Sequence, residues 1–252
     1  LSLSASMIIS VYISVSLTIL ASLFLPLACA QIPDTSPLRE VQPVRGKYLP
    51  ASPEKLIGES SQILLVRNMN PVSIDVHVIA LEKRNGRWQS PFPPMDGVIG
   101  RKGFAPPGEK REGDDRTPSG IFPLGMVFGY DPSFPTRMPY RQATDDDIWV
   151  DDVHADDYNR WVKRGATKAS SFERMNRDDN LYKYGIVVEY NMNPVIKGHG
   201  SAIFFHLWRG NEKPTEGCVA LSEEDLVTIL RWLNPASRPL VVMGTNVTIR
   251  GF

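Results

Sequence analysis

The sequence predicts a mainly β domain with a few helices, and three observations carry that class. Short apolar runs of strand length recur at 62–66, 186–190, 202–207 and 240–244. Residues 73–83 alternate in part, with Ile74, Val76, Val78 and Ala80 on one face. One stretch near the C-terminus is clearly written as a helix.

Taken in order, Gln62-Ile63-Leu64-Leu65-Val66 opens the domain as a strand. The alternating run at 73–83 is the second strand. Asn85-Gly86 follows, a dipeptide that readily takes the two positive φ angles of a tight hairpin, so Trp88 begins a return strand. A helix is expected around 170–178. Toward the end, Ser222 is a good N-cap, and Glu223, Glu224 and Asp225 suit the positive end of a helix dipole. Leu226, Ile229, Leu230 and Leu233 then recur at helical spacing, and Asn234-Pro235 stops the run.

No charged residue precedes Asp34. The segment 7–30 is apolar and ends in Ala28-Cys29-Ala30, a small-x-small pattern that signal peptidase accepts. Residues 1–30 are therefore read as a signal peptide. An uncleaved membrane anchor and a lipoprotein at Cys29 are the other readings, since about 20 apolar residues span a bilayer. Residues 31–58 carry Pro33, Pro37, Pro43, Pro50 and Pro53 and read as an extended linker. Residues 59–252 remain, read as one domain with enough chain to bury a sizeable core, two small domains being the other reading. Lys plus Arg equals Asp plus Glu, 28 each, and that neutrality argues against nucleic acid as a partner.

The chemistry centres on cysteine. The chain has two, Cys29 and Cys218, and removal of the leader would leave Cys218 alone. A lone thiol in an exported protein cannot form an internal disulfide. It is either a buried small hydrophobe or a nucleophile. His206 lies twelve residues upstream, at the end of an apolar run, and suits a general base. Gly217 lets the backbone approach a substrate closely, and N–H groups around it could face an oxyanion. Arg209 is a candidate for holding a substrate carboxylate. His199 is read as a loop residue and His77 as solvent-exposed. The acidic tract around His154 (Asp145, Asp146, Asp147, Asp151, Asp152, Asp156, Asp157) lacks Ca²⁺-loop spacing and is read as a solvated loop. No HExxH or paired CxxC suggests zinc.

Two blocks acquire meaning together: KREGDDRTPSGIFPLG at 110–125 and GSAIFFHLWRGNEKPTEGCVAL at 200–221. With the stretch from Glu173 to Tyr182, they resemble the YkuD-type L,D-transpeptidase catalytic domain, over about 60–244. The resemblance implies a strand-rich sandwich or barrel. It also implies Cys218 as nucleophile, His206 as base, and an imidazole steadied by a backbone carbonyl just after His206. The implied substrates are peptidoglycan stem peptides, handled in the periplasm or cell envelope with no metal or organic cofactor. Thr215 and Arg209 become candidate substrate contacts. The usual Ser-His-Gly-Cys is here Thr215-Glu216-Gly217-Cys218, and only eleven residues separate base from nucleophile. Another cell-wall cysteine peptidase or amidase, and a non-catalytic wall-binding module, are the alternatives. Thr117-Pro118-Ser119-Gly120 has turn chemistry and is expected to shape the cleft without direct chemistry.

Overall fold

The computed structural model describes residues 57–68, 70, 73–246, 248 and 249. The signal-peptide segment 1–30, with Cys29, and the linker up to residue 56 lie outside the described residues. Thirteen strands are described: β1 (Gln62–Asn68), β2 (Asp75–Arg84), β3 (Arg87–Gln89), β4 (Met95–Val98), β5 (Gly120–Gly129), β6 (Tyr140–Gln142), β7 (Asp147–Val150), β8 (Trp161–Lys163), β9 (Phe172–Arg174), β10 (Tyr184–Val188), β11 (Phe204–Leu207), β12 (Val219–Leu221) and β13 (Leu240–Thr245). One helix of ten residues, α1 (Glu223–Trp232), joins them.

The main sheet closes on itself. Its order is β1-β13-β5-β10-β11-β12-β4-β2, and β2 pairs back onto β1, with β3 and β6 attached outside this ring. Closure removes the exposed edges that an open sheet would leave. A separate three-stranded sheet has the order β8-β7-β9.

Alternation decides what each strand buries. Leu64 and Val66, Val76 and Val78, Ile186 and Val188, Phe205 and Leu207, Val219 and Leu221, and Val241 and Met243 all share one core with Leu226, Ile229, Leu230 and Leu233 of the helix region. These are positions i and i+2 of six strands, the period expected when one face is buried. The opposite face of β5, β10 and β11 packs Phe128, Val187 and Phe204 against Trp149 and Met175 of the small-sheet region. Phe204 alone makes edge contacts with Phe128, Trp149 and Tyr182 at 5.4, 5.0 and 5.7 Å.

Local signals explain the ends. Ser222 accepts a hydrogen bond from Asp225 N at 3.1 Å, as a cap should. Asn85 and Gly86 stand at φ 51° and 76°, and the hairpin closes with Arg84 opposite Arg87. β5 was hidden by Pro123, which sits where the strand changes partner. Residues 120–123 pair with β13, and 124–129 pair with β10.

Two expectations need correction. No helix forms at 170–178: Phe172–Arg174 is strand β9, with Glu173 opposite Trp149 of β7. Tertiary pairing overrides local helix propensity there. The acidic tract is not uniformly solvated either. The Asp147 side chain is 2% exposed, ion-paired to Arg141 and Lys163 at 2.9 Å each. It also accepts bonds from Trp161 Nε1 at 2.8 Å and Thr144 N at 2.9 Å. Burying a carboxylate requires this many donors.

Candidate active site

Strands β11 and β12 run parallel, with His206 opposite Ala220 and Phe205 opposite Val219. Since Phe205, Leu207, Val219 and Leu221 face the barrel core, His206 and Cys218 fall on the other face. Cys218 precedes Ala220 by two residues, so it lies diagonal to His206. Strand spacing and a two-residue advance put their Cα atoms about 8 Å apart. Both side chains line one cavity of about 400 Å³, together with Lys110, Glu112, Glu173, Arg177, Tyr182, Arg209 and Glu216 among others.

His206 is 7% exposed, and its Nδ1 lies 2.8 Å from Leu207 O. A carbonyl can only accept, so Nδ1 carries the proton and Nε2 is left as the basic nitrogen. The Tyr182 ring packs edge-on against the imidazole at 5.2 Å, and the Arg177 guanidinium stacks on that ring at 5.0 Å. Burial pulls His206 down to about 4. The Leu207 carbonyl opposes the fall, and the Arg177 and Arg209 charges add to it.

Cys218 is 8% exposed. Its thiol donates to Ala202 O at 3.2 Å, and Sγ accepts from Phe204 N at 3.3 Å. Burial pushes the thiol up to about 12. The Phe204 N–H and Lys110 pull the other way, and Glu173 and Glu216 add to the rise. At neutral pH both groups are therefore uncharged. In this resting arrangement the thiol is bonded to Ala202 and not to His206.

The loop that leads into Cys218 is self-braced. Thr215 Oγ1 donates to Cys218 O at 2.6 Å and accepts from Gly217 N at 3.2 Å. The Thr215 hydroxyl is thus committed within the loop, and the Gly217 N–H would have to leave it to meet an oxyanion. Gly217 has φ 154°, a conformation that favours glycine, and a Cβ there would press on Arg116 O at 3.0 Å. The upstream block packs against this loop. Thr117, fully buried, accepts from Gly100 N at 3.0 Å, and its hydroxyl lies 3.5 Å from Cys218 O. Gly100 is bridged to Thr215.

Arg209 is 57% exposed and reaches Asp179 at 3.2 Å, where Asp179 also holds Arg177 at 2.8 Å. His77, His154 and His199 do not line the cavity. Among the described residues, no group of three or more His, Cys, Asp or Glu could hold a metal ion, and no helix is long and apolar enough to cross a membrane. Sequence reasoning gave no role to Glu112, Tyr158, Asn159, Arg177 or Tyr182. Glu112 accepts from Tyr158 OH and from Ser201 Oγ. Its signal was available, because it lies in the first of the two blocks.

A search of curated proteins returned no match. Among solved structures, the chain is similar to the helical cell shape determining protein Pgp2 from Campylobacter jejuni, at 16% identity and a TM-score of 0.38. That match covers 74% of this chain and 47% of the other, so this chain spans about half that protein's length. Residues 73–249 match the family model described as YkuD, the L,D-transpeptidase catalytic domain. That match takes in every strand of the barrel but β1, both sequence blocks, Cys218 and His206, and the chain belongs to the YkuD L,D-transpeptidase catalytic domain family.

Proposed function

We propose that the protein is an exported cysteine acyltransferase acting on peptidoglycan stem peptides. The observation that carries this is the placing of Cys218 and a Leu207-anchored His206 on one face of two adjacent strands, in one cavity. The Cys218 sulfur attacks the carbonyl joining the L-centre of a diamino acid to a terminal D-residue. As the S–C bond forms, the thiol proton passes to His206 Nε2, and the resulting imidazolium protonates the departing D-amino acid. A thioester remains on Cys218. An amine of a neighbouring stem resolves it into a cross-link; water resolves it in L,D-carboxypeptidase action. Gly217 supports the loop beside the developing oxyanion, and Arg209 and Thr215 flank the substrate.

The reading predicts an unusual acid limb. A histidine with an ordinary pKa near 6.5 would lose its base function below that pH. His206, lowered to about 4, stays unprotonated and basic at pH 5. Acylation rate should hold between pH 7 and pH 5 and fall only as pH approaches 4. A fall centred near 6.5 would contradict the buried, neutral imidazole.

One observation favours a second reading, a non-catalytic wall-binding module. The thiol is buried, raised in pKa and bonded to Ala202. Product analysis on purified muropeptides by mass spectrometry separates the readings, because only a catalyst yields cross-linked or trimmed stems.

Export belongs to the same proposal, with residues 1–30 as signal peptide, 31–58 as linker and 59–252 as catalytic domain. N-terminal sequencing of the mature protein should start at Gln31. An intact apolar segment in the membrane fraction would instead establish the anchor, and with it a membrane tether.

A further inference from the structure

We propose that the turn between β7 and β8 is a clamp that sets the hydrogen bonding of the Cys218 thiol, with Asn159 as its positioning residue. The inference rests on the reading of Cys218 as nucleophile. It concerns how that nucleophile is held at rest.

Asn159 is 1% exposed and stands at φ 59°. Its Nδ2 donates to Tyr190 O at 3.1 Å and to Asn191 O at 2.8 Å. Its Oδ1 accepts from Trp149 Nε1 at 2.8 Å and from Ala202 N at 3.2 Å. Two donors and two acceptor sites are thereby all used, which fixes the amide in one orientation. The residue before it, Tyr158, holds Glu112, and Glu112 holds Ser201. Two consecutive turn residues therefore grip two consecutive residues, Ser201 and Ala202, of the segment leading into β11.

Ala202 shows the grip. It stands at φ 52°, a left-handed conformation that brings the Cβ of an L-residue too close to its neighbouring carbonyl oxygen. Such a conformation persists only where its surroundings over-determine it. Its carbonyl is the acceptor of the Cys218 S–H. The other partner, Phe204 N, belongs to β11 and is held independently by pairing with Val187 of β10.

The two partners act in opposite senses. A carbonyl that accepts the S–H stabilises the neutral thiol, and an N–H that donates to sulfur stabilises the thiolate. The clamp governs the first and leaves the second in place. It thus withholds thiolate until substrate turns the thiol away from Ala202. The titratable groups facing Cys218 are His206 of β11, Tyr182 before β10, Glu173 of β9, Lys110 of the upstream block and Glu216 of its own loop. The Cys218 sulfur is hydrogen bonded to Ala202 and Phe204 and to none of these.

The test uses the full chain carrying Cys29→Ser, so that Cys218 is the sole thiol. Iodoacetamide alkylation is followed from pH 7 to pH 10 beside the melting temperature, with and without Asn159→Ala. No peptidoglycan is involved, so the outcome is independent of whether the stem-peptide reading stands. In the folded variant, alkylation at pH 8 should rise about tenfold, the equivalent of a one-unit fall in thiol pKa. A folded variant with an unchanged pH curve would show that Asn159 serves stability alone and would overturn the proposal. Should the variant not fold, the Raman S–H band of the Cys29→Ser parent decides. A band displaced from that of the unfolded chain supports the bond to Ala202, and a coincident band overturns it.

Discussion

Alanine at position 218 should abolish every covalent acyl-enzyme and reduce stem-peptide turnover to background, a loss on the order of 10⁶ as for removal of other nucleophiles. The sulfur is the only atom in the proposal that bonds to substrate, and nothing beside it can take over. The barrel should survive. The change removes one small group at the periphery of a core built mainly from other residues. Its cost is the two hydrogen bonds to Ala202 and Phe204, about 1–3 kcal/mol. His206→Ala keeps the nucleophile and removes its base, so acylation should slow by about 10²–10⁴. Mass spectrometry gives the readout with muropeptides or with a carbapenem, the β-lactam type that the family resemblance implies as an acylating agent. Turnover that survives Cys218→Ala would sink the mechanism.

Asp147→Ala should lower the stability of the fold by about 3 kcal/mol. Breaking a buried ion pair costs about 3–5 kcal/mol, and the lower end applies because Arg141 and Lys163 can recover water. For a chain of this size the melting temperature should fall by about 6–12 °C. Calorimetry measures it, and a fall of under about 2 °C would show that the network contributes little. The same carboxylate predicts an acid dependence. Burial alone would raise its pKa, but bonds from Lys163, Thr144 and Trp161 outweigh burial and hold it far below the usual carboxylate range. A group depressed in the folded state stabilises it above the unfolded pKa of about 3.9, and loses that contribution as pH falls. The gap between wild type and Asp147→Ala should therefore be constant at pH 5–7 and narrow below about pH 4.

How much of this was legible in the sequence varied with the kind of signal. Strand β2 with its one-sided apolar pattern, β13 as a continuous apolar run buried on both faces, and the capped helix α1 were readable because local pattern and tertiary burial agree. β5 was not, because a proline marks its change of partner. β9 was not, because three residues drawn into a ladder by β7 have no period of their own. Cys218 and His206 were legible as residue types and motif positions. Their common face was not, since it follows from the register of two strands. Asn159 was invisible for a related reason: an asparagine in a turn is ordinary until its four partners are placed around it.

The parallel pairing of β11 with β12 has a consequence for how such a site can diversify. His206 and Cys218 are spaced by the one ladder between β11 and β12, so their separation is set by strand register and not by how much chain connects them. The connection from Trp208 to Gly217 instead runs along the cavity, contributing Trp208, Arg209, Lys213, Pro214 and Glu216 to its walls. A change in the length or chemistry of that segment would alter the cavity wall without altering the pairing that places His206 and Cys218. On the proposed reading, the barrel sets the reacting pair, and a connection of ten residues, Trp208 to Gly217, supplies much of the wall that a substrate would meet.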